Sequence, residues 1–469
     1  MPIKTLPYRH QEKAFELVMN KFENPGGVAL LVEMGCGKTL ISIAVSGALF
    51  KEGKIKRLLI VCPLSICGVW KEEFSKFADF DYRLEILKGT PNKKAETLTL
   101  MNGSSLQVTI VNYESVWRLE EQVKNWNPDM IICDESHKIK AHNIAASKAL
   151  HRLGQNAKYR MILTGTVITN KAIDVFSQYK FLDPTIYGKS FYTFRNRYFD
   201  MVGYGKHTPL LKKSMESELK EKLHSIAFVA TKAECLDLPE TTDIVRYIEL
   251  EQDAMNIYKH LVRDSFLELK DSKVTATNIL TKLLRLSQLT GGFLGDDECK
   301  KIHQVSTAKL RALEDIVDDV TESGKKLVVI ARFIPEIDKI MNLLSKKKLK
   351  FSIITGNVKN RSEQIEKFQN DSDVLVFVGQ IQTASLGITL TASSTMVFYS
   401  LDYSMSNFEQ AKARIHRTGQ KENCTYIYLI AKNTVDEKVL KALKKKCDLA
   451  SSLIDDYRQG LNPFKTERR

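Results

Sequence analysis

The sequence predicts an α/β chain folded as two lobes, each a parallel sheet with helical insertions. Three observations carry this. Short continuous apolar runs, separated by helix-like stretches, recur in both halves of the chain, as strands buried on both faces of a parallel sheet do. In the first half each run ends in a polar cluster, and the carboxyl ends of strands are where such sheets hold ligands. Only the first set of strands carries a Gly-Lys-Thr loop.

At 469 residues the chain is long enough for two or three domains. Its 43% hydrophobic and 27% charged residues are an ordinary globular composition with ample apolar surface for cores. Lys and Arg exceed Asp and Glu by 70 to 56, a net +14 that suits either simple solubility or a polyanionic partner. The eight cysteines form no Cys-x-x-Cys pair and have no nearby His at zinc spacing. That usage points to a reducing compartment and no structural metal. No apolar stretch approaches the ~18 residues of a membrane span, and Met1-Pro-Ile-Lys-Thr5 lacks a signal-peptide core. A soluble, intracellular protein is expected, cytoplasmic, nucleoid-associated or nuclear according to the cell.

Taken in order, Leu6-Pro-Tyr-Arg-His-Gln11 opens an amphipathic helix through Phe15, Val18 and Met19. Gln11 carries the paired donor and acceptor that read an adenine edge, although a lone Gln is more often a surface residue. The apolar run Val28–Val32 leads into Glu33-Met-Gly-Cys-Gly-Lys-Thr39, followed by the helically spaced Leu40–Val45. Strand, glycine-bearing turn, then Lys-Thr at a helix start is the layout of a phosphate-binding loop. Gly35, Cys36 and Gly37 form its turn; the two glycines free backbone N–H groups to close on phosphate oxygens, helped by the helix N-terminus. Lys38 reaches the terminal phosphates and the Thr39 hydroxyl binds Mg²⁺. Val32 departs from the full pattern, which has Gly or Ala there.

The runs Arg57–Cys62, Gln107–Val111, Met130–Cys133 and Tyr159–Leu163 end in Pro63-Leu-Ser65, Asn112-Tyr-Glu114, Asp134-Glu-Ser-His137 and Thr164-Gly-Thr166. In Asp134-Glu135, one carboxylate can hold Mg²⁺ while its neighbour orients the attacking water. Asp134 is assigned to the metal and Glu135 to the water. His137 is expected to couple nucleotide state to the rest of the lobe, the alternative being that it merely satisfies a local backbone group. From about 170 to 232 aromatics and charges interleave, which reads as a helical protrusion of a first lobe covering residues 1–240. The second lobe, 241–469, has strands at Leu327–Ala331, Phe351–Ile354, Val374–Val378, Met396–Tyr399 and Tyr426–Ile430. A helical insertion at about 252–292 and a C-terminal helix at about 434–458 complete it. Gln410-Ala-Lys-Ala-Arg-Ile-His-Arg-Thr-Gly-Gln420 places Arg414 and Arg417 on one helical face, available to a transferring phosphoryl group or simply basic surface.

The ordered set of Gln11, EMGCGKT (33–39), DESH (134–137), LTGT (163–166) and QAKARIHRTGQ (410–420) resembles helicase superfamily two. TGTVITN (164–170), LGITLTAS (386–393), HRTGQ and TVDEKVLKALKKK (434–446) are similar to its Swi/Snf-related branch of DNA translocases. The resemblance covers nearly the whole chain and implies two RecA-like lobes, ATP with Mg²⁺, and motion along a nucleic-acid duplex. It implies Gln11 as adenine reader, Lys38 and Thr39 as phosphate and metal contacts, and Arg414 and Arg417 as the finger pair, with Gln410 beside the nucleotide. It also implies that Pro63, Trp70, Tyr113 and Thr166, and in lobe two Arg332, Thr355, Gly356 and Thr383, track the phosphate backbone. Val167 and Ala384-Ser385 depart from the branch's usual residues, and the 380–387 segment is nearer its annealing and fork-remodelling members. Two function classes follow: an ATP-driven translocase on double-stranded DNA, or an ATP-gated clamp that docks a partner such as an RNA duplex or an RNA polymerase complex.

Overall fold

Strand β1 (Gly26–Val32) is apolar throughout, and every residue after Gly26 is buried. It sits inside a seven-stranded parallel sheet with β2 (Arg57–Cys62), β3 (Tyr82–Ile86), β4 (Leu106–Asn112), β5 (Met130–Asp134), β6 (Tyr159–Thr164) and β7 (Ala227–Ala230), in the order β3-β4-β2-β5-β6-β1-β7. Successive residues serve two separate cores, one on each face. Ala29, Leu31, Leu59, Val61, Ile131 and Cys133 enter one cluster, and Val28, Leu30, Val32, Leu58, Ile60 and Ile132 the other. Burial on both faces explains why these strands read as unbroken apolar runs. The structure, a computed structural model, describes the chain apart from residues 166–171, 203–207, 236–237, 272–283, 296–301, 359, 385–387, 403, 442 and 445–469.

Register decides what meets at the carboxyl edge. Leu30 lies beside Leu163 of β6, and Leu163 beside Asp134 of β5. The loop after β1 and the acidic pair after β5 therefore emerge from the same end of the sheet.

The chain divides into two compact units, Met1–Asp237 and Leu238–Cys447. The second has its own six-stranded parallel sheet: β8 (Thr241–Ile248), β9 (Leu327–Ala331), β10 (Lys350–Ile354), β11 (Val374–Gln380), β12 (Thr395–Phe398) and β13 (Cys424–Ala431), ordered β8-β13-β12-β9-β11-β10. Central β9 is buried at all five residues.

Three strands of these two parallel sheets lie outside those the sequence predicts. β3 and β8 are edge strands; β3 alternates polar and apolar residues, whereas β8 opens Thr-Thr-Asp and is largely exposed. β7 is four residues of the segment expected to be a helical protrusion, yet it pairs with β1. The same segment carries an antiparallel hairpin, Phe199–Val202 with Thr208–Leu211, beside its helices. The insertion in the second unit begins as a helix, Gln252–Asp271. The expected C-terminal helix is described only over residues 435–441 and 443–444.

Candidate functional site

Gly35 and Gly37 adopt φ +89° and +80°, the left-handed region a side chain disfavours, and helix α2 (Lys38–Lys51) starts directly after Gly37. The turn thus delivers Lys38 and Thr39 to a helix N-terminus, where free N–H groups favour an anion. The Lys38 ammonium donates to the carbonyls of Val32 (2.7 Å) and Glu33 (3.4 Å), which keeps it over the loop. Buried Cys36 donates its N–H to Glu33 and accepts at its carbonyl from His10 Nε2 at 2.8 Å. His10 lies on α1 (Arg9–Lys21), so a helix remote in sequence steadies the turn. Gln11 lies alongside. Its Oε1 accepts from the N–H of Tyr8 at 2.9 Å, and its Nε2 occupies the space a Cβ on Gly37 would need.

Asp134 and Glu135 are buried at the end of β5. Burial first, and then the charge of Glu135, push the Asp134 carboxyl up to about 7, while Lys38 and the Trp70 indole oppose the rise. A buried carboxylate so poorly compensated fits a divalent cation, and Thr39 supplies a hydroxyl of the kind Mg²⁺ takes. Glu135 holds φ +51°, a strained setting for a non-glycine residue that recurs at functional sites. His137 Nδ1 lies 3.3 Å from Glu135 Oε2, and Ser136 donates to Gln178 at 2.7 Å.

Trp70 and Tyr113 are placed otherwise than a backbone-tracking role requires. They are 1% and 4% exposed. Trp70 Nε1 donates to Asp134 Oδ2 at 2.9 Å, and the Tyr113 hydroxyl donates to the Asp134 carbonyl at 2.7 Å. Both brace the acidic motif from beneath. Pro63 is also buried, and the exposed residue of its turn is Leu64. Thr166 and Val167 lie outside the described residues.

In the second unit Arg332 follows β9. Its guanidinium packs 5.1 Å from the Phe333 ring, and one terminal nitrogen is buried without a hydrogen-bond partner. An orphaned cationic donor of that kind fits an anionic oxygen. Thr355 is buried, Gly356 exposed and Thr383 half-buried. Arg414 is 4% exposed and committed to the carbonyls of Gln410 and Ile388. Arg417 is half-buried and donates to the same Ile388 carbonyl at 3.2 Å. Gln410 is buried, donating to Ser406. Of the pair, Arg417 has the more open setting.

Sequence reasoning missed four supports. His10 has no signal beyond adjacency to Gln11. Glu336, third in the helix Ile334–Lys346, accepts from the Phe333 N–H as the Glu of a capping box does, but Phe333 lacks the Ser or Thr hydroxyl that would signal the box in sequence. Ser400 and Gln380 follow apolar strands and look like ordinary polar termini. In the QAKARIHRTGQ motif, Gln420 also proves to be a staple: its Nε2 donates to Ser393 and Ile415, and its Oε1 accepts from the N–H groups of Lys421 and Glu422.

Residues 10–291 match the SNF2-related domain, and residues 308–419 match the helicase conserved C-terminal domain. The DNA repair and recombination protein RDH54 of Saccharomyces cerevisiae is 26% identical, with 94% of this chain and 52% of that protein covered. The RAD54-like DNA repair and recombination protein of Drosophila persimilis is 25% identical over 96% of this chain and 63% of its own. The chain spans about half the length of the curated relatives it matches. The Sulfolobus solfataricus SWI2/SNF2 ATPase core in complex with dsDNA is 26% identical, covers 99% of this chain and 96% of its own, and has a TM-score of 0.47. With 10–291 alone exceeding half its length, the chain belongs to the SNF2-related family, the SNF2 branch of helicase superfamily two.

Proposed function

We propose that the chain is an ATP-hydrolysing translocase on double-stranded DNA. The observation that carries the chemistry is the buried Asp134-Glu135 pair, at the same sheet edge as the Lys38 loop and within reach of its charge. The loop N–H groups and Lys38 bind the nucleotide phosphates, and Gln11 reads the base. Asp134 and Thr39 would hold Mg²⁺, which would supply positive charge against the nucleotide phosphates. Glu135 orients the attacking water and His137 steadies Glu135; for Arg417, the family resemblance supports a contribution of positive charge to the transferring group. Glu135→Gln should bind ATP and fail to turn it over.

The DNA track is supported by family membership, by relatives named for DNA repair and recombination, and by the orphaned Arg332 donor. Phosphate contacts carry little sequence information, so binding should be largely non-specific. Separating strands costs ~1.4 kcal/mol per base-pair step on average, a cost that following an intact duplex avoids. The test pairs two assays on one preparation, ATP-driven triplex-strand displacement and unwinding of a plain duplex. Displacement without unwinding is expected; unwinding without displacement refutes the reading. ATPase that does not rise with DNA length would favour a clamp instead.

A further inference from the structure

We propose that Gln380, together with Glu336 and Ser400, positions Arg332 as a rigid phosphate contact, tied to the Gly356 turn, at the carboxyl edge of the second sheet. The proposal rests on the reading of this unit as a tracker of a nucleic-acid backbone, and it concerns residues that touch no phosphate themselves.

Four neighbouring strands of that sheet, β12, β9, β11 and β10, end beside one another. Each contributes one member. After β9, the Arg332 N–H donates to Ser400 Oγ at 2.8 Å and to Glu336 Oε2 at 3.1 Å. The Phe333 N–H also donates to Glu336 Oε2, at 3.1 Å, and the Ser400 hydroxyl donates to that same oxygen at 2.6 Å. From β11, Gln380 reaches both ways: its Nε2 donates to the Arg332 carbonyl at 3.4 Å, and its Oε1 accepts from the Gly356 N–H at 3.3 Å. The main chain of Arg332 is therefore held at both its N–H and its carbonyl. Only its guanidinium keeps a donor without a partner.

The supports are set deep, whereas what they hold faces outward. Glu336 and Ser400 are 1% and 6% exposed, while Gly356 is exposed. Groups fixed before a ligand arrives lose little freedom on binding it, which is what a repeatedly engaged backbone contact needs. Among the described residues, the hydrogen bonds of Gln380 join the Arg332 segment to the Gly356 turn, so it should govern how firmly Arg332 is presented.

The experiment measures duplex-DNA binding by the full chain across salt concentrations for wild type, Gln380→Ala, Arg332→Ala and the double variant. Gln380→Ala should weaken binding about tenfold and lower the slope of log K against log salt by about 1, the mark of one lost phosphate contact. The double variant should bind as Arg332→Ala alone does. Ser400→Ala, which removes an acceptor of the Arg332 N–H, reads the same coupling if Gln380→Ala fails to fold. An unchanged slope, or additive effects of the two substitutions, overturns the proposal. If Arg332→Ala itself leaves the slope unchanged, Arg332 is not a phosphate contact and the proposal falls with it. Wild type showing no salt-dependent duplex binding would instead refute the tracking reading.

Discussion

Replacing Trp70 by Phe should weaken Mg²⁺-dependent nucleotide binding without disturbing Mg²⁺-independent binding. The indole is 1% exposed and donates to Asp134 Oδ2 at 2.9 Å, on a carboxyl whose ionisation burial already opposes. Phenylalanine keeps an aromatic ring on helix α3 (Cys67–Phe77) beside Phe74 and removes the donor. Two routes give the size of the effect. A hydrogen bond to a charged group contributes roughly 1.5–3 kcal/mol. Outer partners of metal ligands change metal affinity by about 10–100-fold when removed, which is roughly 1.4–2.7 kcal/mol. The two agree, so the half-saturating Mg²⁺ concentration should rise about 10–100-fold. The assay titrates Mg²⁺ against a fluorescent ADP analogue, with a parallel series in excess chelator. A folded Trp70→Phe protein with an unchanged Mg²⁺ midpoint would show that the indole does not support the metal-holding carboxylate.

Three further outcomes follow from other parts of the structure. Glu336 is pushed from its ordinary 4.5 up to about 7, chiefly by burial, so the folded chain holds this proton more tightly than the unfolded chain. Its contribution to stability is thus complete below pH ~4.5 and lost as pH rises through ~7, a loss of about 3 kcal/mol at 1.36 kcal/mol per pH unit. Urea midpoints of wild type and Glu336→Gln at several pH values should diverge across that window; parallel curves would contradict it. Gly37→Ala forces a Cβ into the left-handed region at a cost of roughly 1–2 kcal/mol and displaces Gln11. Nucleotide affinity should fall at least about tenfold, with less-than-additive effects in combination with Gln11→Ala, both read by calorimetry. Arg417→Ala should lower DNA-stimulated kcat by about 10³-fold and change DNA affinity little. Lost DNA binding with kcat preserved would reassign Arg417 to the nucleic-acid surface.

The phosphate loop, the acidic pair and the interior strands are legible from the sequence because local pattern alone defines them. A strand buried on both faces must be apolar at every position, and a turn through positive φ selects glycine at 35 and 37. The edge strands β3 and β8 are not legible, since the alternation of β3 and the polar, exposed opening of β8 also suit a surface loop, and β7 is too short for pattern to reach. Nor could the sequence separate exposed from buried members of a motif. Trp70 and Tyr113 sit in segments expected to face a phosphate backbone, yet their side chains turn inward to Asp134. Trp70 meets its partner across 64 residues of chain, Ser400 meets Arg332 across 68, and Gln380 meets Arg332 across 48. Only the packing of parallel strands brings such ends together, so whether a polar side chain finds a partner or is left orphaned, as at Arg332, is decided by the sheet and not by its neighbours in sequence.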